Sequence, residues 1–343
     1  MNICHPLPLK ILIVKIGAIG DVITCLHLLT YYKNEFPNAH ITWIVGSAAE
    51  PILKMTAMVD EILVVDEARL FQGTWAVRLK EIVHLQMKLF GKRFNRVLIC
   101  HRDWRYKILT CTVFCRKKVS LVKGSTARTR FANIYRGVEY LQMAFDIVKP
   151  DIYQFPLPTL NLFEKESINT NLKQIVIVPG GAKNILANDA LRRWPIENYV
   201  SLVKKLVSEG YEILIAGSQT DEWVIPCFSS IPHKNFVGKT DLNQLARLLK
   251  SSRLLITHDC GPLHLARLIR CATIALFGPT NPIEVIGLDQ NVKILWPGKT
   301  LSCPPCYNGK HFAKCDENRC LKMITPQQVF ELIQKHSIDT SHS

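Results

Sequence analysis

Short apolar runs recur along this chain, each ending in small or turn-forming residues and each followed by a stretch of helical apolar spacing. Ile11-Leu12-Ile13-Val14 runs into Gly17-Ala18-Ile19-Gly20-Asp21, and apolar positions then recur at helical intervals over 22–34. The pattern predicts strands at 11–14, 41–45, 61–65 and 96–100, and helices at 22–34, 49–55 and 78–90. Residues 119–122 and 140–147 continue it more weakly, and Pro150, Pro156 and Pro158 then interrupt it, which marks a linker.

The second half restarts the alternation. A strand at 174–178 meets Pro179-Gly180-Gly181, and a helix at 196–209 closes on Gly210, a C-cap glycine. A strand at 212–216 meets Gly217-Ser218, followed by a helix at 241–249, a strand at 254–257 and a helix at 262–270. A strand at 272–276 meets Phe277-Gly278-Pro279-Thr280, and a helix at 326–335 closes the pattern. Repeated β-then-α units imply an α/β architecture with a parallel sheet in each half. The expected division is 1–158, 159–325 and a C-terminal helix and tail at 326–343. Ligands bind at the carboxyl ends of strands in such sheets, so two facing domains with a ligand between them are expected.

Composition agrees with this division. A chain of 343 residues exceeds one ordinary core, and 48% hydrophobic with 21% charged residues describes globular protein rather than disorder. No apolar run reaches the length of a membrane span. Residues 1–10, broken by Pro6 and Pro8, do not read as a signal peptide. A cytoplasmic location is expected, in which the 12 cysteines are mostly reduced. The net charge of +15 is concentrated: residues 88–136 hold 14 Lys or Arg against one acid, Asp103. A charge run is usually a solvated face. An asymmetry this strong implies an anionic partner, either a phosphorylated acceptor, an anionic membrane surface or nucleic acid, and charge does not choose among the three.

Gly17-x-x-Gly20-Asp21 lacks the middle glycine of a dinucleotide fingerprint and the Gly-Lys-Ser/Thr ending of a phosphate loop. Asp21 at a helix start reads as a cap or, beside a glycine-opened strand end, as a general base. In His258-Asp259-Cys260-Gly261-Pro262-Leu263-His264, Gly261 permits close backbone approach and Pro262 needs no amide donor in a first turn. The helix start is then an anion site, with His264 as a further donor. The plainer reading makes Asp259 a cap and His264 a core residue.

Gly180 and Gly181 follow one strand, Arg192 and Arg193 precede a helix, and paired arginines bind diphosphates. Ser218, Asp221 and Glu222 lie just past another strand, a usual place for ribose recognition. Four such turns in one half describe a nucleotide-diphosphate crevice. Cys303-x-x-Cys306 with Cys315 and Cys320 has spacing compatible with a structural four-thiolate zinc site.

In this order the motifs resemble glycosyltransferase family 9, the ADP-heptose:lipopolysaccharide heptosyltransferases. The resemblance runs from Ile11 to about Gln334 and rests on Lys15-Ile16-Gly17-x-x-Gly20-Asp21, Arg193-Trp194-Pro195, Asp259-x-Gly261-x-x-His264 and Phe277-Gly278-Pro279-Thr280. The Cys-rich loop is similar to that of some members. The resemblance implies a GT-B fold of two facing Rossmann-like domains, an acceptor on the N-terminal one and a nucleotide sugar on the C-terminal one. It implies inversion at the anomeric carbon, no required cofactor and no catalytic metal.

By position, Asp21 would be the general base. Gly180, Gly181, Arg192, Ser218, Asp221, Glu222, Asp259, Cys260, Gly261 and His264 would bind the donor. Gly20, Arg102, Arg105, Arg128 and Arg130 would face an anionic lipid A-core acceptor at the inner face of the inner membrane. The sequence departs from the family where its threonines give way to Gly180, Gly181 and Ala182, and where Cys260 replaces a threonine. Two alternatives stay open: a GT-B enzyme using another nucleotide sugar and acceptor, and a nucleic-acid-binding protein using the basic face. The resemblance argues against nucleic acid as the partner.

Overall fold

In the computed structural model, residues 8–121, 134–145, 151–160, 170–182, 189–301, 303, 306–307 and 312–339 are described. They fall into two units. Residues up to 121 and those from 136 to 160 form the first, while 134–135 and the residues from 170 onward form the second.

The first unit is a five-stranded parallel sheet of β1 (Lys10–Val14), β2 (His40–Gly46), β3 (Glu61–Val65), β4 (Arg93–Ile99) and β5 (Phe114–Ser120), in the order β3-β2-β1-β4-β5. Ile11, Leu12, Ile13 and Val14 are all fully buried, because helices cover both faces of a parallel sheet and leave no solvated side for polar residues to alternate onto. That is why β1 reads as one apolar run. Each such side chain contributes roughly 1.5–3 kcal/mol by leaving water. β5 is one of the two edge strands, and its exposed Arg116, Lys117 and Lys118 discourage pairing with another chain.

The second unit carries β6 (Asn171–Val178), β7 (Glu212–Gly217), β8 (Lys234–Val237), β9 (Ser252–His258), β10 (Thr273–Leu276) and β11 (Val292–Leu295). All pairings are parallel, in the order β11-β10-β9-β6-β7-β8. In both sheets the winding reverses beside the first strand, between β1 and β4 and between β6 and β9. These reversals are the topological switch points at which open α/β sheets bind ligands. The helix Pro326–Asp339 contributes Val329, Phe330 and Ile333 to the same core cluster as Tyr199, Leu202 and Leu206 of the helix Ile196–Ser208. Trp194 Nε1 donates to the Ile324 carbonyl at 2.9 Å beneath them.

The structure departs from the sequence pattern in several places. The helix expected at 22–34 is two helices, Ile19–Cys25 and His27–Glu35, meeting at Leu26. The weak apolar segment at 119–122 belongs to a strand that lies mostly earlier, at Phe114–Ser120, where its edge position leaves a basic rather than apolar run. The helix expected at 140–147 is Arg136–Ala144. β8 and β11 have four residues each and sit at the two edges. Too little of either is buried to stand out as an apolar run.

Candidate active site

The first unit gathers a charged cluster at the carboxyl end of β1. Beyond Val14 the backbone stays paired: the Lys15 N–H donates to the Ile44 carbonyl at 3.1 Å, and the Ile16 N–H donates to His101 Nε2 at 3.0 Å across the β1/β4 switch point. The chain then turns at Gly17, where a Cβ would run into the Glu67 carboxylate. The turn feeds the helix Ile19–Cys25, whose first turn carries Gly20 and Asp21. The Gly20 carbonyl accepts from Thr24 Oγ1 at 2.8 Å.

Asp21 does not cap this helix. The N-cap is Ala18 and makes no side-chain bond. The Asp21 carboxylate instead accepts from Lys15 Nζ at 2.9 Å through Oδ2, while Arg136 Nη1 stands 4.0 Å from Oδ1. The Lys15 side chain is 5% exposed and that of Asp21 39%. Crowding within the unit alone would raise the Asp21 pKa, but Lys15 and Arg136 override that and hold it at about 2. The result is a carboxylate ionised at neutral pH, with one oxygen engaged by an ammonium. His101 stacks on Tyr106 with ring centroids 3.5 Å apart. Burial, with Lys15 nearby, keeps its imidazole neutral by pushing its pKa well below the ordinary value.

The two described arginines expected to meet an acceptor both hold carboxylates. Arg102 Nη2 donates to both oxygens of Glu139, at 2.7 and 2.9 Å, and Arg105 grips Asp103 at 2.9 and 2.7 Å. Arg128 and Arg130 lie outside the described residues.

In the second unit the strand-end turns after β10, β9, β6 and β7 are consecutive along one sheet edge. Asp259 follows β9 and is buried. It accepts from Thr280 Oγ1 at 2.8 Å, and Arg192 Nη1 stands 3.4 Å from it. Arg192 Nη2 also donates to Asp189 at 3.0 Å. Burial works against the Arg192 charge, but Asp259 and Asp189 hold it protonated. Its Nε is buried and has no hydrogen-bond partner among the described residues. A buried N–H donor left unused costs free energy unless a ligand takes it up.

Gly261 opens the helix Gly261–Leu268 after Cys260, which is the N-cap and makes no side-chain cap bond. Cys260 Sγ lies 3.1 Å from Thr257 Oγ1, and burial pushes its thiol up to about 12, so it packs rather than reacts. His264 is buried in the first turn of that helix. His258 is held neutral, down at about 3, by burial and by the Arg192 charge, and Tyr199 OH lies 3.1 Å from its Nδ1.

Asp221 is committed to architecture. One oxygen accepts from the Gly181 N–H at 2.7 Å, and the other from the Ser218 N–H and Oγ at 2.8 and 2.7 Å. It thereby ties the β6 turn to the β7 turn. A Cβ on Gly180 would come 2.5 Å from its carboxyl carbon. Asp221 is 2% exposed, whereas its neighbour Glu222 is open to solvent. Lys15, Arg136, His101 and Thr280 carried no assigned role from spacing, since their partners are set by tertiary contacts.

The cysteine spacing is compatible with a four-thiolate zinc site. Among the described residues no three Cys, His, Asp or Glu side chains gather as a metal cage. Cys320 is buried with Sγ 3.6 Å from Asn318 Oδ1, Cys315 Sγ accepts the Asn318 N–H at 3.3 Å, and Cys303 is exposed. Asn318 contacts two of the thiols.

With this geometry in place, the chain can be compared with known proteins. The profile of glycosyltransferase family 9 (heptosyltransferase) matches residues 132–315. The lipooligosaccharide heptosyltransferase 2 of Haemophilus influenzae is 25% identical over 317 residues, covering 84% of this chain and 88% of the relative. The lipopolysaccharide heptosyltransferase 2 of Salmonella typhimurium is 23% identical over 364 residues, covering 96% and 98%. The solved E. coli ADP-heptose lipopolysaccharide heptosyltransferase II superposes with a TM-score of 0.69 at 19% identity, over 96% of this chain and all of that one. The two parallel-sheet units are therefore those of a GT-B fold.

Proposed function

The chain belongs to glycosyltransferase family 9 and is a transferase, and we propose that it moves a heptose from ADP-heptose to the lipopolysaccharide inner core. The heptosyltransferase names of its relatives support the sugar and the acceptor class. The superposed E. coli enzyme, named for ADP-heptose, supports the donor. The observation that carries the mechanism is Asp21, an ionised carboxylate 39% exposed on the β1 turn, with Oδ2 engaged by Lys15 and Oδ1 4.0 Å from Arg136 Nη1.

In this reading an acceptor hydroxyl oxygen attacks the anomeric carbon from the face opposite the diphosphate. Its proton passes to Asp21 Oδ1 as the new C–O bond forms, and the bond from that carbon to the ADP oxygen breaks. The configuration inverts. Because the Asp21 pKa is about 2, the carboxylate is a weak base toward a free hydroxyl. It accepts the proton only as the hydroxyl becomes acidic in the transition state. Lys15 keeps the carboxylate ionised and aimed.

On the second unit, the unused Arg192 Nε–H and the start of the helix Gly261–Leu268 meet the charge growing on the leaving diphosphate. These are fixed donors of the oxyanion-hole kind, and they let the displacement proceed without a metal. Glu222, rather than the committed Asp221, is the acid left for the ribose. A lipid acceptor places the enzyme at the inner face of the inner membrane. Among the described residues no helix is long and apolar enough to cross it.

The test is a transfer assay with ADP-heptose and a core acceptor lacking its terminal heptose. Expected products are ADP and an acceptor one heptose heavier, with the anomeric configuration inverted by NMR. Turnover with another nucleotide sugar while ADP-heptose stays inert would reject the donor assignment.

A further inference from the structure

We propose that the helix Trp75–Leu89 of the first unit is a docking surface for an anionic lipid bilayer. The inference deepens the functional reading above and rests on it for the surface's purpose. Of the 15 residues in this helix only Leu85 and Leu89 are buried. Trp75, Leu79, Val83 and Met87 follow one another at intervals of four, so they share one face. They are 77%, 50%, 45% and 64% exposed, and Phe90 just beyond the helix is 85% exposed. A helix of a soluble domain ordinarily turns such a stripe into its core. Here it lines an open groove of about 1040 Å³.

The charges beside the stripe are mostly positive, and Asp66, an acid that also lines the groove, is paired with Arg69 at 3.4 Å. Arg78, Lys80, Lys88 and Arg93 are exposed around it. The one acid of the helix, Glu81, is occupied by the Asp66 N–H at 3.0 Å. Gln86 ties the helix to the preceding turn of the basic edge strand, donating to the Ile108 and Leu109 carbonyls at 3.1 and 2.9 Å. The exposed Arg116, Lys117 and Lys118 of β5 extend the positive surface. An apolar stripe rimmed by Lys and Arg, with a tryptophan at its end, fits the headgroup boundary of an anionic bilayer. It does not fit a second copy of this chain, because a two-fold contact would set the same positive rim against itself.

Position supplies the purpose. Ser47, Val64 and Asp66, which line the groove, lie at the carboxyl ends of β2 and β3. The Asp21 turn leaves the carboxyl end of β1 in the same sheet, so a docked bilayer presents its lipid-borne acceptor at the edge that carries Asp21.

The experiment is flotation of the full chain with vesicles of phosphatidylcholine alone or with about a third phosphatidylglycerol. The chain is expected to float with the mixed vesicles and not with the neutral ones. Trp75→Ser/Met87→Ser and, separately, Lys80→Glu/Lys88→Glu should each bind at least about tenfold more weakly. Both should keep their melting temperature and their rate on a deacylated, water-soluble acceptor. A wild-type chain that binds neither vesicle overturns the proposal. So does a Trp75→Ser/Met87→Ser chain that floats as well as wild type, or one whose only change is loss of a dimer in sedimentation. Absence of transfer to the soluble acceptor with flotation intact would instead reject the functional reading and leave the surface standing.

Discussion

Lys15 Nζ donates to Asp21 Oδ2 at 2.9 Å, joining the end of β1 to the first turn of the following helix. The pair opposes the effect of burial and brings the carboxyl from 3.8 to about 2. A carboxyl depressed in the folded state stabilises the protein above its unfolded pKa, and that contribution is lost as pH falls through the folded value. The pair therefore acts fully above about pH 4 and fades toward pH 2. Lys15→Met leaves burial opposed only by the weaker partners, so the Asp21 pKa rises. The acid limb of the kcat/KM profile should move to higher pH than in wild type, for which no limb is expected above about pH 4. Superimposable profiles would show that Lys15 does not set the ionisation of Asp21.

Arg192 is predicted to act through its fork rather than its charge. Arg192→Lys keeps an ammonium near Asp259 but removes the Nε donor and the two-pronged geometry. Donor affinity, measured calorimetrically with ADP, should weaken by about tenfold, the scale of one charge-assisted hydrogen bond. The melting temperature should change little. Unchanged ADP binding would remove Arg192 from the donor site.

Asp221 and Glu222 are neighbours with opposite expected behaviour. Asp221→Asn puts a donor where the Gly181 and Ser218 amides already donate, so stability should fall by about 1–3 kcal/mol. Glu222→Gln is expected to leave the melting temperature alone and weaken ADP binding. Thermal melts with and without ADP separate the two, and the opposite assignment would follow if only Asp221→Asn lost affinity while holding its melting temperature.

Cys303→Ser should shift the melting temperature by less than about 2 °C, as expected of an exposed side chain without a metal to hold. Elemental analysis of the purified chain finding one zinc per chain, with the variant losing it and melting early, would restore the zinc site.

Much of the fold was legible because both sheets are parallel and covered. Residues 11–14, 62–65 and 254–256 are apolar without interruption for that reason, and their strands were found within two residues at each end. Three of the four edge strands were harder: β5 is a basic run, and the four-residue β8 and β11 bury too little to show. Of the candidate site, the turns themselves were visible as glycines and acids after strands. Their pairings were not, since Arg136 meets Asp21 from 115 residues away and Gly181 meets Asp221 from 40. Spacing therefore offered Asp221 as a ribose ligand and Asp21 as a cap. The hydrogen bonds commit Asp221 to joining two loops and leave Asp21 uncapping and partly open.

Asp21→Asn tests the central claim most directly. The substitution keeps the side chain's size and removes its charge and basicity, and no helix cap is lost because Asp21 does not supply one. Turnover of ADP-heptose onto the core acceptor should fall by ~10²–10⁴-fold, the usual contribution of a general base, with ADP affinity unchanged. Near-normal turnover by the Asn variant would contradict the account, because the acceptor's proton would then leave by some route other than Asp21.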